Sequence, residues 1–164
     1  MKPIYALEGG LAGAVALTIL HESLRNLFPK APRMDLLGKA AVAKGLRGAG
    51  LKIPSGTKLY AVTMAADVVS NALYYSLSGI GKTKGAVARG AALGLAAGIG
   101  AIALPKYIGL PDAPSSRTPE TKLMTVGLYV VGGIVASIVL KALSKRKERK
   151  NYKWQERLLT SSQV

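Results

Sequence analysis

Four stretches of this chain are almost free of charge, and polar intervals separate them. Between Ile4 and Leu20 the single charged residue is Glu8, and between Leu59 and Ile80 it is Asp67. Gly90–Leu104 and Leu123–Leu140 carry no charge at all. Each stretch is near the roughly 20 residues that cross about 30 Å of hydrocarbon at 1.5 Å per residue. A helix of a soluble bundle repeats polar residues every third or fourth position, whereas Gly90–Leu104 (GAALGLAAGIGAIAL) is apolar all round. The pattern predicts an all-α polytopic membrane protein with four transmembrane helices in a bundle, at about 4–24, 58–79, 86–105 and 121–143. Together they make a transmembrane domain over 1–144, followed by a basic cytoplasmic tail over 145–164. The third span is the shortest and draws on Ala86–Arg89 to reach across. The first residues imitate a secretory signal, with Lys2 ahead of an apolar run, but Glu8 interrupts that run and a retained first span is expected.

The first polar interval has a pattern of its own. In 34–50, Met34, Leu36, Leu37, Ala41, Val42 and Leu46 alternate with Lys39, Lys44 and Arg47, and Asp35 falls in the first turn. This predicts an amphipathic helix lying at the interface with its basic side chains reaching toward headgroups. Gly38, Gly45 and Gly48 weaken it, since glycine is a poor helix former.

The two halves echo each other. Pro29-Lys30-Ala31-Pro32 recurs as Pro111-Asp112-Ala113-Pro114, with Arg33 and Arg117 following. Thr57-Lys58-Leu59 recurs as Thr121-Lys122-Leu123, each opening an apolar span. A unit of two spans repeated without inversion is a parallel repeat, which puts both proline connectors on one face and both termini on the other. Small residues recur four apart: Gly90, Gly94 and Gly98 on the third span, Gly10 and Ala14 on the first, Gly132 and Ala136 on the fourth. Residues at that spacing share a helix face and let backbones approach closely, either within the bundle or in a homo-oligomer.

Polar residues inside the apolar stretches are the candidate chemistry. Asp67 lies near the middle of the second span, where a carboxylate costs at least about 2.5–3.5 kcal/mol. Asn71 is one turn on, Thr63 one turn back, and Tyr74 extends the same side. Such a stripe binds a cation or polar ligand, relays protons, or joins helices through buried hydrogen bonds. Glu8 joins it if its depth in the first span matches. His21, Glu22 and Arg25 sit where the first span meets the interface, and an i,i+3 ion pair between Glu22 and Arg25 is expected.

Charge then orients the picture. Twenty-three Lys and Arg against eight Asp and Glu give a formal charge of +15, yet the basic residues avoid the spans and crowd beside them. That favours anionic headgroups of a bilayer over nucleic acid as partner. The dense tail from Lys141 to Arg157 and the middle connection with Lys82, Lys84 and Arg89 lie on one side, so both termini are expected in the cytoplasm. The tail's Tyr152 and Trp154 beside lysines suit a membrane anchor, and TSSQV at the end reads as disordered. Cysteine is absent, and one histidine beside one glutamate is not a metal motif, so neither metal nor cofactor is expected. GIGKTKG at 79–85 lacks the spacing of a phosphate-binding P-loop, and no nucleophile–base pair marks an enzyme.

Four segments give the chain a family likeness: GGLAGAVALTI at 9–19, PRMDLLG at 32–38, SNALYYSLSG at 70–79, and the Gly109-Leu110-Pro111 turn with Pro114, Arg117 and Thr121. In these it resembles YagU-like proteins, small uncharacterised bacterial inner-membrane proteins. The resemblance implies an inner-membrane setting and no assigned activity. The expected function is a structural or accessory membrane protein, as a homo-oligomer or a subunit of a larger membrane complex. The alternative is a small transporter or channel with Asp67 and Asn71 lining a polar path.

Overall fold

The computed structural model describes the backbone of residues 3–161 and the side chains of residues 3–146. Among the described residues every regular element is helical. Helix α1 runs Pro3–Leu27, α2 Met34–Gly48, α3 Gly56–Ser76, α4 Ala86–Ala103, the short α5 Ala113–Ser116, and α6 Pro119–Ser161. Single 3-10 turns follow α3 (Leu77–Gly79), precede α4 (Thr83–Gly85) and follow α4 (Pro105–Ile108).

Three of these helices are long and apolar enough to cross a membrane: α1, α4 with the turn before it, and α6 as far as Arg146. The second expected span, α3, has the length, at 21 residues, but not the apolarity. Asp67, Asn71, Ser70 and Thr63 interrupt its apolar residues, and three tyrosines dilute them further.

The four long helices run up, down, up, down. Gly9 and Gly13 of α1 face Leu140 and Gly132 of α6, so residue numbers rise along one helix as they fall along the other. Gly10 meets Ala72 and Ser76 of α3 in the same antiparallel sense. Gly90, Gly94 and Gly98 of α4 face Gly133, Tyr129 and Val126 of α6. Close approach explains the glycines: a methyl group on Gly94 would fall onto the Tyr129 carbonyl, and one on Gly90 onto the Gly133 carbonyl. The stripe on α4 is thus covered within the chain. On α1 the glycines serve two faces, Gly10 toward α3 and the pair Gly9 and Gly13 toward α6.

One end of the bundle is tied by its connectors. Arg33 N–H donates to Pro114 O at 2.7 Å, and Thr121 Oγ1 to Lys30 O at 2.7 Å. The Arg117 guanidinium donates to the carbonyls of Pro29 and Ala31, and Lys30 pairs with Glu120 at 2.6 Å. The two proline motifs therefore lie on the same face and in contact.

Helix α2 forms, but it does not simply lie on the surface. Asp35 and Leu37 are buried, and Gly38 packs against the Thr63 methyl of α3. At the other end, α6 continues without a break through 144/145, giving 43 residues and a length of about 65 Å. The basic tail is thus a continuation of the last helix as far as Ser161. The side chains of Tyr152 and Trp154, and the last three residues, lie outside the described residues.

Candidate functional site

The pairings of the long helices are unequal. α1 packs along both α3 and α6, and α4 along α6, but α3 and α4 meet only sparingly. A hydrogen bond from Tyr74 Oη to Leu93 O, at 3.1 Å, ties the two across the gap. The space left between them is an open groove of about 560 Å³. Tyr129 of α6 contributes to the groove wall, and α2 and the turn after α4 complete it through Leu37, Ala41, Pro105 and Ile108.

The two long walls differ in chemistry. That of α4 is made of small apolar groups, Ala96, Ala97, Gly100 and Ala101. That of α3 carries Asp67, Ser70, Asn71 and Tyr74. Asn71 Nδ2 donates to Asp67 Oδ1 at 3.1 Å and to Asp67 O at 3.0 Å, which fixes the carboxylate on the helix surface. Among the described residues Asp67 is the one charged residue that lines the groove.

Not every member of the expected polar stripe reaches this groove. Thr63 is buried against α2, its hydroxyl without a hydrogen-bond partner, and it does not line the groove. Glu8 is also elsewhere: its neighbour Gly10 is level with Ala72 and Ser76, so Glu8 lies more than two turns from Asp67 along the bundle. Asp67, Asn71 and Tyr74 are the expected residues that come together there.

A second, smaller space lies behind Asp67. It holds about 10 Å³ of room, close to the size of one water, and is lined by Leu17, His21, Met34, Asp67, Thr125, Leu128 and Tyr129. Asp67, Tyr129 and Met34 line both spaces. His21 is held by Nε2, which lies 3.0 Å from Pro32 O, so the neutral ring donates there and leaves Nδ1 as acceptor. Sequence spacing gives no sign that His21 and Asp67 share a cavity, because they sit on different helices.

Above the cavity, a polar network joins α1, α2 and α3. Arg25 bridges Glu22 at 2.6 Å and Asp35 at 3.2 Å. Arg33 grips Asp35 with two hydrogen bonds of 3.0 and 3.2 Å, and Tyr60 Oη donates to Glu22 at 3.1 Å. Burial pushes the Asp35 carboxyl up, but the Arg33 hydrogen bonds and the charges of Arg33, Arg25 and Lys39 outweigh it and hold the carboxyl below its usual range. Asp35 is the centre of this network; its one sequence signal was a first-turn acid, which is common at helix starts.

Among the described residues no group of three His, Cys, Asp or Glu side chains is placed to hold a metal ion. No protein-family model, curated protein or solved structure matches this chain, so what the groove does is argued from its geometry.

Proposed function

We propose that this chain is a non-enzymatic, four-span protein of a bacterial inner membrane that binds a membrane-borne amphiphile between α3 and α4, with Asp67 as counter-ion or hydrogen-bond acceptor. The observation that carries the reading is that Asp67 and Asn71 face an open groove rather than being sealed against a neighbouring helix. A carboxylate at mid-span is expensive unless it is paired, so a bound cation or donor group stabilises it. The volume suits a small ligand, within the roughly 300–1,000 Å³ of small-molecule sites.

Antiparallel packing of α3 along α1, a helix apolar enough to span, supports placing it in the membrane. The touching proline connectors support a parallel repeat of two spans, α1–α3 and α4–α6. In such a repeat the α1/α6 seam corresponds to the α3/α4 seam, and the groove is where that second seam stays open. Both termini and the Lys82–Arg89 connection then share the cytoplasmic side, with basic residues beside anionic headgroups. The bacterial inner membrane is what the YagU-like resemblance implies.

Tetraphenylphosphonium, a hydrophobic cation, tests the site. The wild-type protein in neutral-lipid nanodiscs should bind it, and Asp67→Asn should weaken binding by about tenfold or more, the loss of a charge-assisted contact. Equal binding by both proteins would refute the assignment.

A second reading is favoured by the wall of Ala96, Ala97 and Gly100, which suits close approach of another helix. In it the chain is an accessory subunit, and a partner span bearing a polar or basic residue fills the groove. Because the Gly90–Gly98 face is occupied by α6, a homo-oligomer would have to use a different surface such as this one. Cross-linking through cysteine introduced at Ala96 distinguishes them, giving a protein adduct only if a partner span is present.

A further inference from the structure

At the opposite end of the bundle from the proline connectors, the 3-10 turn before α4 meets α6. Thr83, Lys84, Lys141, Ser144 and Lys145 line a pocket of about 290 Å³ there. Three lysines and two hydroxyl-bearing residues line it, and among the described residues no carboxylate does. Ser144 carries the most information. It is 8% exposed, and among the described residues its Oγ is shielded from solvent with no hydrogen-bond partner, not even the carbonyl one turn back that a helical serine commonly takes. An unpaired buried hydroxyl costs about 1–3 kcal/mol, so a group that accepts from it is stabilising.

Depth narrows the chemistry. Leu123–Leu140 is uncharged and Lys141 is the first charge after it, while Lys84 lies two residues before the apolar α4 begins. The pocket therefore sits where hydrocarbon gives way to headgroups, the level of lipid phosphates. The sequence GKTKG contributes Thr83 and Lys84 here without P-loop spacing, so the donors are side chains supplied from two helical segments and not a glycine-rich backbone cradle.

We propose that this pocket binds one phosphate group, that of an anionic phospholipid in the cytoplasmic leaflet, with Lys84, Lys141 and Lys145 as charged donors and the hydroxyls of Thr83 and Ser144 completing its shell. The site rests on the membrane placement of α4 and α6 and is independent of the Asp67 groove. It differs from the general attraction of a basic face for headgroups, because it has a fixed stoichiometry and uses a neutral hydroxyl.

The test uses the full chain, delipidated in neutral detergent, with phosphatidylglycerol, phosphatidylcholine or inorganic phosphate added and bound lipid counted by native mass spectrometry. The wild-type protein should retain one phosphatidylglycerol in preference to phosphatidylcholine. Lys84→Gln with Lys141→Gln should weaken that retention by about tenfold or more, whereas removing two charges by Arg47→Gln with Lys52→Gln should leave it unchanged. Ser144→Ala should raise the melting temperature of the lipid-free protein while weakening retention, a pair of opposite signs that neither misfolding nor loss of charge produces. Displacement of the lipid by millimolar inorganic phosphate would keep the phosphate site but assign it to a soluble anion. Equal loss in the two double variants, or retention unchanged in Lys84→Gln with Lys141→Gln, would overturn the proposal.

Discussion

Tyr75 Oη donates to the main-chain carbonyl of Tyr129 at 2.8 Å, and the Tyr75 side chain is wholly buried. This contact carries α3 past α1 to α6 and packs its ring against Gly132, whose missing side chain makes room for it. Tyr75→Phe should cost only about 0.5–1.5 kcal/mol, because a helical carbonyl keeps its own N–H partner and side-chain hydrogen bonds in membranes are modest. Tyr75→Ala removes the ring and should cost about 3–5 kcal/mol. Unfolding in a denaturing detergent titration measures both, and equal losses would show that the hydroxyl rather than the ring holds the helices.

The α4/α6 interface should be intolerant of bulk. Gly94→Ala places a methyl against the backbone at Tyr129 and Val130, where neither neighbour is a flexible side chain. A loss of at least about 1–3 kcal/mol is expected from overpacking. Gly127 of α6 meets nothing, so Gly127→Ala is the matched control and should be neutral or slightly stabilising. The comparison reads directly from the detergent midpoints of the two variants.

The network around Asp35 predicts an acid limb in the stability profile. Its carboxyl is held below the usual range in the folded protein, so its contribution is fully present above the unfolded value of about 3.9 and is lost as pH falls from there through the folded value. Asp35→Asn should lower stability at neutral pH by about 1–3 kcal/mol and flatten this limb. Thermal melts between neutral and acidic pH check it; an unchanged limb in the variant would move its origin to another carboxylate.

Thr63 offers the opposite sign. Its hydroxyl is buried without a partner while its methyl packs on Gly38, so Thr63→Val keeps the packing and removes an unsatisfied group. A gain of up to about 1 kcal/mol is expected. A clear loss in the same detergent titration would mean that the hydroxyl makes a contact that matters.

How much of this was legible depended on the range of the interaction. The all-helical architecture and three apolar helices follow from uncharged runs, since burial in lipid acts on every residue of a span. Small residues four apart pointed to close helix contacts, and Gly90, Gly94 and Gly98 do meet α6 backbone. Gly9 and Gly13 lie on a second small face that the four-residue spacing of Gly10 and Ala14 does not mark. Among polar residues, Asp67, Asn71 and Tyr74 share a helix face by spacing, and they line one groove. Spacing puts Thr63 on the same side, but the position of α2, which periodicity within α3 does not encode, buries it elsewhere. The shared cavity of His21 and Asp67, the burial of Asp35 and the Lys84–Ser144 pocket depend on which helices meet, and no local pattern reports that.

The unequal seams also govern how a ligand would arrive. With the bundle in a bilayer, an open groove between α3 and α4 would exchange with the lipid phase rather than with water. An amphiphile that partitions strongly into the bilayer is far more concentrated there than in solution, so occupancy follows its mole fraction among the lipids. A site with modest intrinsic affinity, provided by one carboxylate and a wall of alanines, would then be filled at low aqueous concentration. Dilution with added lipid would empty it even when the total ligand stays constant.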